Sequence, residues 1–348
     1  MSSIIETELK NIIKSKKLSG IYFIYGQETW MKRYYCKKMV SLSSPVMPEF
    51  NLQIFEYKDS TLEEISNAIE TLPVFAEKKC VAVYDMDIEN MLSSDIEKLN
   101  SIISDIPDTT ILIICLNNIE PNFKKSAKWR SFLKTIDNIG ISIDVQKRTS
   151  TQLKKMLCSA ASKKGCELNP KDAEYIIEMC GSELQILLSE LDKLTIYTEK
   201  GIITREIIDK LIVKSLTATV YELSRAVIRC NYTESYNILD RLFIAREEPI
   251  AILAVLSNAF ADLYRAKCAI NSAATAESIA QNYDYRGKEF RLRNAARDSA
   301  KISMSQLKQC LNILYKSDRD LKGSRVNGRI ILEETITSLI CIINGVIL

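Results

Sequence analysis

Histidine is absent from the 348 residues. No Ser-His-Asp triad, Cys-His nucleophile, His-bearing zinc site or imidazole general base can therefore be built. Glycine and proline are scarce, at 10 and 7, which excludes collagen-like and Gly/Pro-rich low-complexity chains. Excess charge of one sign is missing too: 47 bases against 44 acids leave +3, too slight to argue for nucleic-acid binding from the total alone. The ten cysteines contain no Cys-x-x-Cys pair, and several, such as Cys80 in KKCVAVY and Cys115 in ILIICL, lie in apolar runs. They read as small buried hydrophobes of a reducing compartment, neither a disulfide framework nor a metal site. No apolar run is long enough to span a bilayer. The most apolar tail, Ile336 to Leu348, has 13 residues, against the roughly 20 that a helical span needs. The opening MSSIIETELKNIIKSKK carries acids and does not read as a signal peptide. These absences lead us to expect a cytoplasmic protein with no membrane association, no cofactor and no metal.

What remains is 47% hydrophobic and 26% charged, a globular, helix-leaning composition long enough for two or three domains. Residues 1–146 alternate strand and helix signals. The strand-like runs are IYFIYG, NLQIFEYK, KCVAVYD, TTILIICL and SIDVQ. Between them lie helical patterns through Ser43, over Leu62, Ile65, Ile69 and Leu72 on one face, around Ser94–Ile106 and over Phe123–Ile139. Such alternation predicts a mostly parallel, doubly wound sheet with helices on both faces. From Val145 no convincing strand returns. Residues 147–214 read as a small helical bundle, with Asn169-Pro170 starting a helix, Gly181 breaking one, and Leu184, Leu187, Leu188, Leu191 and Leu194 forming a stripe. Residues 215–348 read as a second helical domain, with stripes of Ala254, Leu256, Ala259, Phe260 and Leu263 and of Leu307, Leu311, Leu314 and Leu321. The expected architecture is an α/β domain, a helical lid and a helical C-terminal domain.

An α/β domain followed by a helical lid suggests an AAA+-type ATPase, but the phosphate chemistry is missing. A phosphate loop needs a Gly-rich cradle, a Lys for the β/γ oxygens and a Ser/Thr for Mg²⁺. The stretch after the first strand, Tyr25-Gly26-Gln27-Glu28-Thr29-Trp30, has one glycine, no GK[ST] and an acid. The near match GSRVNGRI (Gly323 to Ile330) follows a helical pattern and has Arg and Ile where Lys and Ser/Thr belong. Two echoes persist. VAVYDMD ends in acids where a Walker B strand would, without the adjacent Asp-Glu pair, and ILIICLNN carries Asn117 at a strand end. Both read as ordinary strand ends closed by turn formers. Lid Gln185 stands in a region where an ATPase usually offers an Arg. Hydrolysis of ATP by this chain is not expected.

The segment ETLPVFAEKK is the most informative. Pro73 ends the preceding helix, and Val74 and Phe75 follow in a connection that should be polar. Such side chains either tuck under the sheet edge as core or protrude as an anchor for a partner's pocket. Leu72 fits either, because it also continues the helix's apolar face. Here the chain resembles the bacterial DNA polymerase III delta subunit family, through GIYFIYGQETWMKRYY, ETLPVFAEKKCVAVYD, GSELQILLSELDKL, GIITREIIDKLI, REEPIAILAVLSNAF and KSDRDLKGS. The resemblance spans nearly the whole chain. It implies an AAA+-like fold without nucleotide binding, a lid, and a collar that joins delta-prime and gamma/tau subunits. It also implies a polymerase holoenzyme subunit that binds and opens the β sliding clamp and has no catalysis of its own. The family's clamp-binding turn maps onto Leu72, Val74 and Phe75, with Val74 smaller than the usual residue, so that Phe75 carries most of the contact.

Two basic stretches could touch primer–template DNA. One runs from Val145 to Cys166, with Lys147, Arg148, Lys154, Lys155, Lys163 and Lys164 and no acid. The other, YRGKEFRLRNAAR, holds Arg286, Lys288, Arg291, Arg293 and Arg297 with Glu289. Either contacts duplex phosphates or forms a solvated face of helix ends that favour cations. AESIAQNYDYRGKEFRLRNAAR can also be read as a helix-turn-helix, so the alternatives to a loader subunit are a divergent ATPase and a stand-alone DNA-binding regulator. Trp30 and Trp129 read as packing residues.

Overall fold

The computed structural model describes residues 6–15, 17–43 and 47–345. The first five residues of the N-terminal segment and the last three of the apolar tail lie outside the described residues. Two compact units divide at Lys147/Arg148.

The first unit runs α1 (Glu6–Ser15), β1 (Gly20–Tyr25), α2 (Thr29–Ser43), α3 (Pro48–Asn51), β2 (Leu52–Glu56), α4 (Leu62–Glu70) and β3 (Lys79–Tyr84). It continues through α5 (Ser93–Ser104), β4 (Thr110–Cys115), α6 (Ala127–Ile139) and β5 (Ile141–Asp144). The strands form one sheet in the order β2-β3-β4-β1-β5, and every pairing is parallel. Parallel strands covered on both faces carry unbroken apolar runs, and β4 (TILIIC) is buried at all six positions. Helices α1 and α2 pack on one face, and α4, α5 and α6 on the other. The expected doubly wound α/β class is therefore the one observed. Beneath α6 an aromatic cluster fills the core: the ring of Phe23 lies 5.0 Å from Tyr25, 5.3 Å from Phe132 and 6.4 Å from Trp129. Trp129 is thus a packing residue, whereas half-buried Trp30 stacks on Tyr34 at the surface of α2.

The helix over residues 62–70 stops earlier than its apolar spacing suggests. A capping box opens it, with Thr61 accepting from the Glu64 amide and Glu64 reaching back to the Thr61 amide. Ile65 and Ile69 are buried, but Leu72 falls beyond the helix and points outward. Of the two places the sequence left open for Leu72, it takes the turn and not the helix face, because Pro73 forces an extended backbone on the residue before it.

The second unit is largely helical: α7 (Ser150–Lys163), α8 (Pro170–Cys180), α9 (Leu184–Thr198), α10 (Arg205–Leu211), α11 (Leu216–Ile228) and α12 (Tyr232–Ile244), then α13 (Pro249–Asn271), α14 (Glu289–Asp298), α15 (Met304–Gly323) and α16 (Gly328–Ile343). Two short strands, β6 (Cys166–Glu167) and β7 (Gly201–Ile202), pair in parallel, against the expectation that no strand follows Val145. Two residues per strand are too few to leave a periodic signal. Asn169 caps α8 as expected, and Gly181 ends it at φ 88°. Helix α13 lies at the centre against α11, α14 and α15. Its stripe buries Leu256, Ala259, Phe260 and Leu263, whereas Ala254 is exposed. Among the described residues of this unit one acid, Asp262, is buried, and it sits in this core. It accepts from Tyr221 at 2.6 Å and from Tyr285, and pairs with Arg291 at 2.7 Å. Burial first, and the adjacent carboxylate second, push the Tyr285 hydroxyl up to about 12, so it stays a donor across the physiological range.

Candidate docking turn and basic faces

Between α4 and β3 the chain makes a turn with two anchored ends. At the first end buried Lys79 reaches back to the carbonyls of Ala68, at 2.5 Å, and Thr71, while the Thr110 hydroxyl donates to Ile69 O at 3.0 Å. These donors satisfy the last carbonyls of α4, which a helix end otherwise leaves without partners. Burial lowers the pKa of the Lys79 ammonium. At the other end Lys78 donates to Leu18 O at 3.0 Å. The tip is held by Asn51, whose amide donates to Val74 O at 2.8 Å and accepts from Val74 N at 2.7 Å. From this frame three apolar side chains stand out in solvent: Leu72 is 72% exposed, Val74 37% and Phe75 85%. Phe75 adopts φ 52°, a left-handed backbone that is uncommon for a bulky residue. Of the two readings of this turn, core or protrusion, the geometry is that of protrusion. Sequence reasoning missed Asn51, which sits at the end of a four-residue helix with no motif to mark it.

The turn after β1 lies where strand order reverses, which in open parallel sheets is the usual ligand crevice. Here it is laced shut. Glu28 N donates to Val145 O at 3.0 Å and Val145 N to Tyr25 O at 2.8 Å. A Cβ on Gly26 would stand 2.5 Å from Val145 O. Gln27 is bonded to Glu120 at 2.8 Å, and buried Lys32 donates inward to Asn117 O at 3.4 Å, its pKa lowered chiefly by burial. The Walker B echo is a turn cap: Asp85, at φ 52°, accepts from the Asn118 amide at 2.7 Å and from its side chain at 2.6 Å. The GSRVNGRI segment joins α15 to α16 and follows no strand. The Glu28 amide and the Lys32 ammonium, which would have to face a phosphate here, are committed inside the fold. We therefore expect no ATP binding to the isolated chain; saturable binding of a fluorescent ATP analogue at micromolar concentration would contradict this.

The basic residues divide into four groups. Lys147, exposed, closes the first unit, and Arg148 opens the second. Within the second unit the two distant stretches meet at Glu174, which pairs with Lys154 at 3.1 Å and with Arg293 at 2.7 Å. Glu289 strengthens the junction by accepting from Ser150 N at 3.0 Å, at the start of α7. Lys155 and Arg286 are exposed, and Lys288 is half-buried. Arg291 differs from its neighbours: it faces Asp262 in the core, so it holds α14 in place and we remove it from the phosphate-contacting set. A helix-turn-helix is not formed, because residues Ala276–Gln281 make a 3₁₀ turn. The ten cysteines are free thiols, six of them buried. Among the described residues no group of three His, Cys, Asp or Glu could hold a metal ion, and no helix is long and apolar enough to cross a membrane.

Residues 22–142 match the family described as DNA polymerase III, delta subunit, and residues 217–339 match its C-terminal domain. The chain belongs to the DNA polymerase III delta subunit family. The two matches fall on the α/β unit and on the helices from α11 onward. A DNA polymerase III subunit delta of Bacillus subtilis is 21% identical over 92% of this chain and 93% of its own length. A probable DNA polymerase III subunit delta of Aquifex aeolicus is 20% identical, over 89% of this chain and 92% of its own. The solved structure of a Bacillus subtilis DNA clamp loader delta protein superposes with a TM-score of 0.66 at 18% identity, covering 97% of this chain and 99% of that one. The delta-family fold thus extends over essentially the entire polypeptide.

Proposed function

We propose that this delta-family chain is the cytoplasmic, ring-gripping subunit of a clamp loader. In this reading Leu72, Val74 and Phe75 bind the β sliding clamp and favour the open form of one ring interface. The observation that carries it is Phe75, 85% exposed on a left-handed backbone. A left-handed residue costs about 1–2 kcal/mol relative to the ordinary helical region, and an exposed phenyl returns nothing to the fold. Burial in a partner's pocket would contribute about 1.5–3 kcal/mol, which places Phe75 among potential hot spots.

No bond need be made or broken. Closed and open rings are two states, and a ligand shifts them only by its differential affinity. A turn that fits the ring better once an interface has relaxed would pull it toward opening. The other loader subunits, delta-prime and gamma/tau, would supply ATP hydrolysis. In this reading residues 147–214 are the lid and residues 215–348 the collar that joins those subunits. Lys147, Arg148, Lys154, Lys155, Arg286, Lys288 and Arg293 would meet primer–template phosphates in the assembled loader, with affinity falling steeply with salt.

The test uses the isolated chain and the purified β ring. Binding is expected with neither DNA nor nucleotide present, together with faster release of closed rings from circular DNA. Absence of binding at micromolar chain would defeat the proposal.

A further inference from the structure

We infer that Asn51 is a positioning residue for the docking turn, fixing the Val74 peptide so that Phe75 is presented in one conformation. The inference rests on the reading of Phe75 as the ring anchor. Asn51 is 1% exposed, although Phe50 beside it is 59% exposed. Its amide spans 23 positions of sequence to make two bonds of opposite sense to one residue, 2.8 Å to Val74 O and 2.7 Å from Val74 N. Asn suits this geometry because it offers a donor and an acceptor on one short planar group. Asp lacks the donor, Ala lacks both, and Gln is one methylene too long.

The need for such a clamp follows from the turn itself. Residues 71–78 contain neither helix nor strand, and ordering backbone costs roughly 1–2 kcal/mol per residue. If folding does not meet that cost, ring binding must. Lys79 and Lys78 hold the ends of the turn, whereas Asn51 holds the position next to Phe75. A cost met in advance appears as affinity, without Asn51 touching the partner.

The experiment measures β-ring affinity for the full chain and for Asn51→Ala, Asn51→Asp, Phe75→Ala and the Asn51→Ala/Phe75→Ala double variant. Thermal unfolding and hydrogen exchange at the Val74 amide are followed on each. Asn51→Ala is expected to bind about tenfold more weakly, as loss of two hydrogen bonds suggests, and to expose the Val74 amide to exchange. Asn51→Asp, which keeps the acceptor, should hold that amide protected yet still weaken binding. In the Phe75→Ala background Asn51→Ala should cost less than about twofold more, because the anchor being positioned is gone. Undiminished affinity of Asn51→Ala, or losses that multiply fully in the double variant, would overturn the inference. Should Asn51→Ala fail to fold, Asn51→Asp, measured alone and in the Phe75→Ala background, decides by the same two criteria of affinity and coupling. If Phe75→Ala itself binds as the parent does, the docking reading fails and this inference falls with it. If Phe75→Ala is weak while both Asn51 variants bind normally, only the role of Asn51 is lost.

Discussion

Phe75→Ala is expected to weaken binding to the β ring by about 2–4 kcal/mol, roughly 30- to 1,000-fold in Kd, with the unfolding transition of the chain unmoved. The two halves of this expectation share one cause. A side chain that is 85% exposed makes few contacts in its own fold, so truncation opens no cavity and costs no core packing. The turn's shape is set by bonds to backbone atoms of Val74, Ala68 and Thr71, none of which involves the phenyl ring. Alanine at φ 52° meets much the same backbone cost as phenylalanine. Leu72→Ala should lose less, and Val74→Ala, the least exposed of the three, least of all. Titration calorimetry beside a thermal melt checks both halves. Parental ring affinity in a folded Phe75→Ala protein would remove the docking turn from consideration.

The largest effect on stability is expected at Asp262. Replacement by Ala should destabilise the helical unit by about 3–5 kcal/mol, the usual cost of removing one partner of a buried ion pair. The carboxylate is 1% exposed and neutralises Arg291, whose side chain is only 16% exposed, at 2.7 Å. It also accepts from the hydroxyls of Tyr221 and Tyr285 and lies 3.6 Å from Arg265. Without it a guanidinium and two phenols remain in a largely apolar setting, each owing its desolvation cost. The cost should fall on the contacts of α14 with α13, since Arg291 lies on the first and Asp262 on the second. Asn at the same position keeps an acceptor but not the charge, so it should lose less. Urea unfolding followed by circular dichroism gives the number, and a loss under about 1 kcal/mol would show that the network contributes little.

The parallel sheet was legible because its central strands β1, β3 and β4 are apolar on both faces and its helices are long enough to show a period. The turn at residues 72–75 stood out for the opposite reason, as apolar residues where a connection should be polar, but the pattern left core and protrusion both open and only the exposure of Phe75 separates them. Leu72 stayed open between helix face and protruding turn because a period-3.6 pattern carries on past Pro73, and only its 72% exposure places it with the turn. Arg291 and Arg293 look alike in sequence, two residues apart, yet one faces a buried carboxylate and the other the half-exposed Glu174. Only the packing of α14 separates them. Asn51 and Glu174 were invisible for the same reason, since each acts on residues 20 or more positions away, and no local pattern carries that information.

The scaffold of the turn is made of side chains gripping peptide groups, and this has an evolutionary corollary. The side chains of Leu72 and Phe75, 72% and 85% exposed, contribute little to the fold, so in the proposed reading their identities can drift with the shape of the pocket they meet. Change at Asn51 or Lys79 would disturb the mount itself. Recognition can thus be retuned by single substitutions at the tip without a matching loss of thermal tolerance.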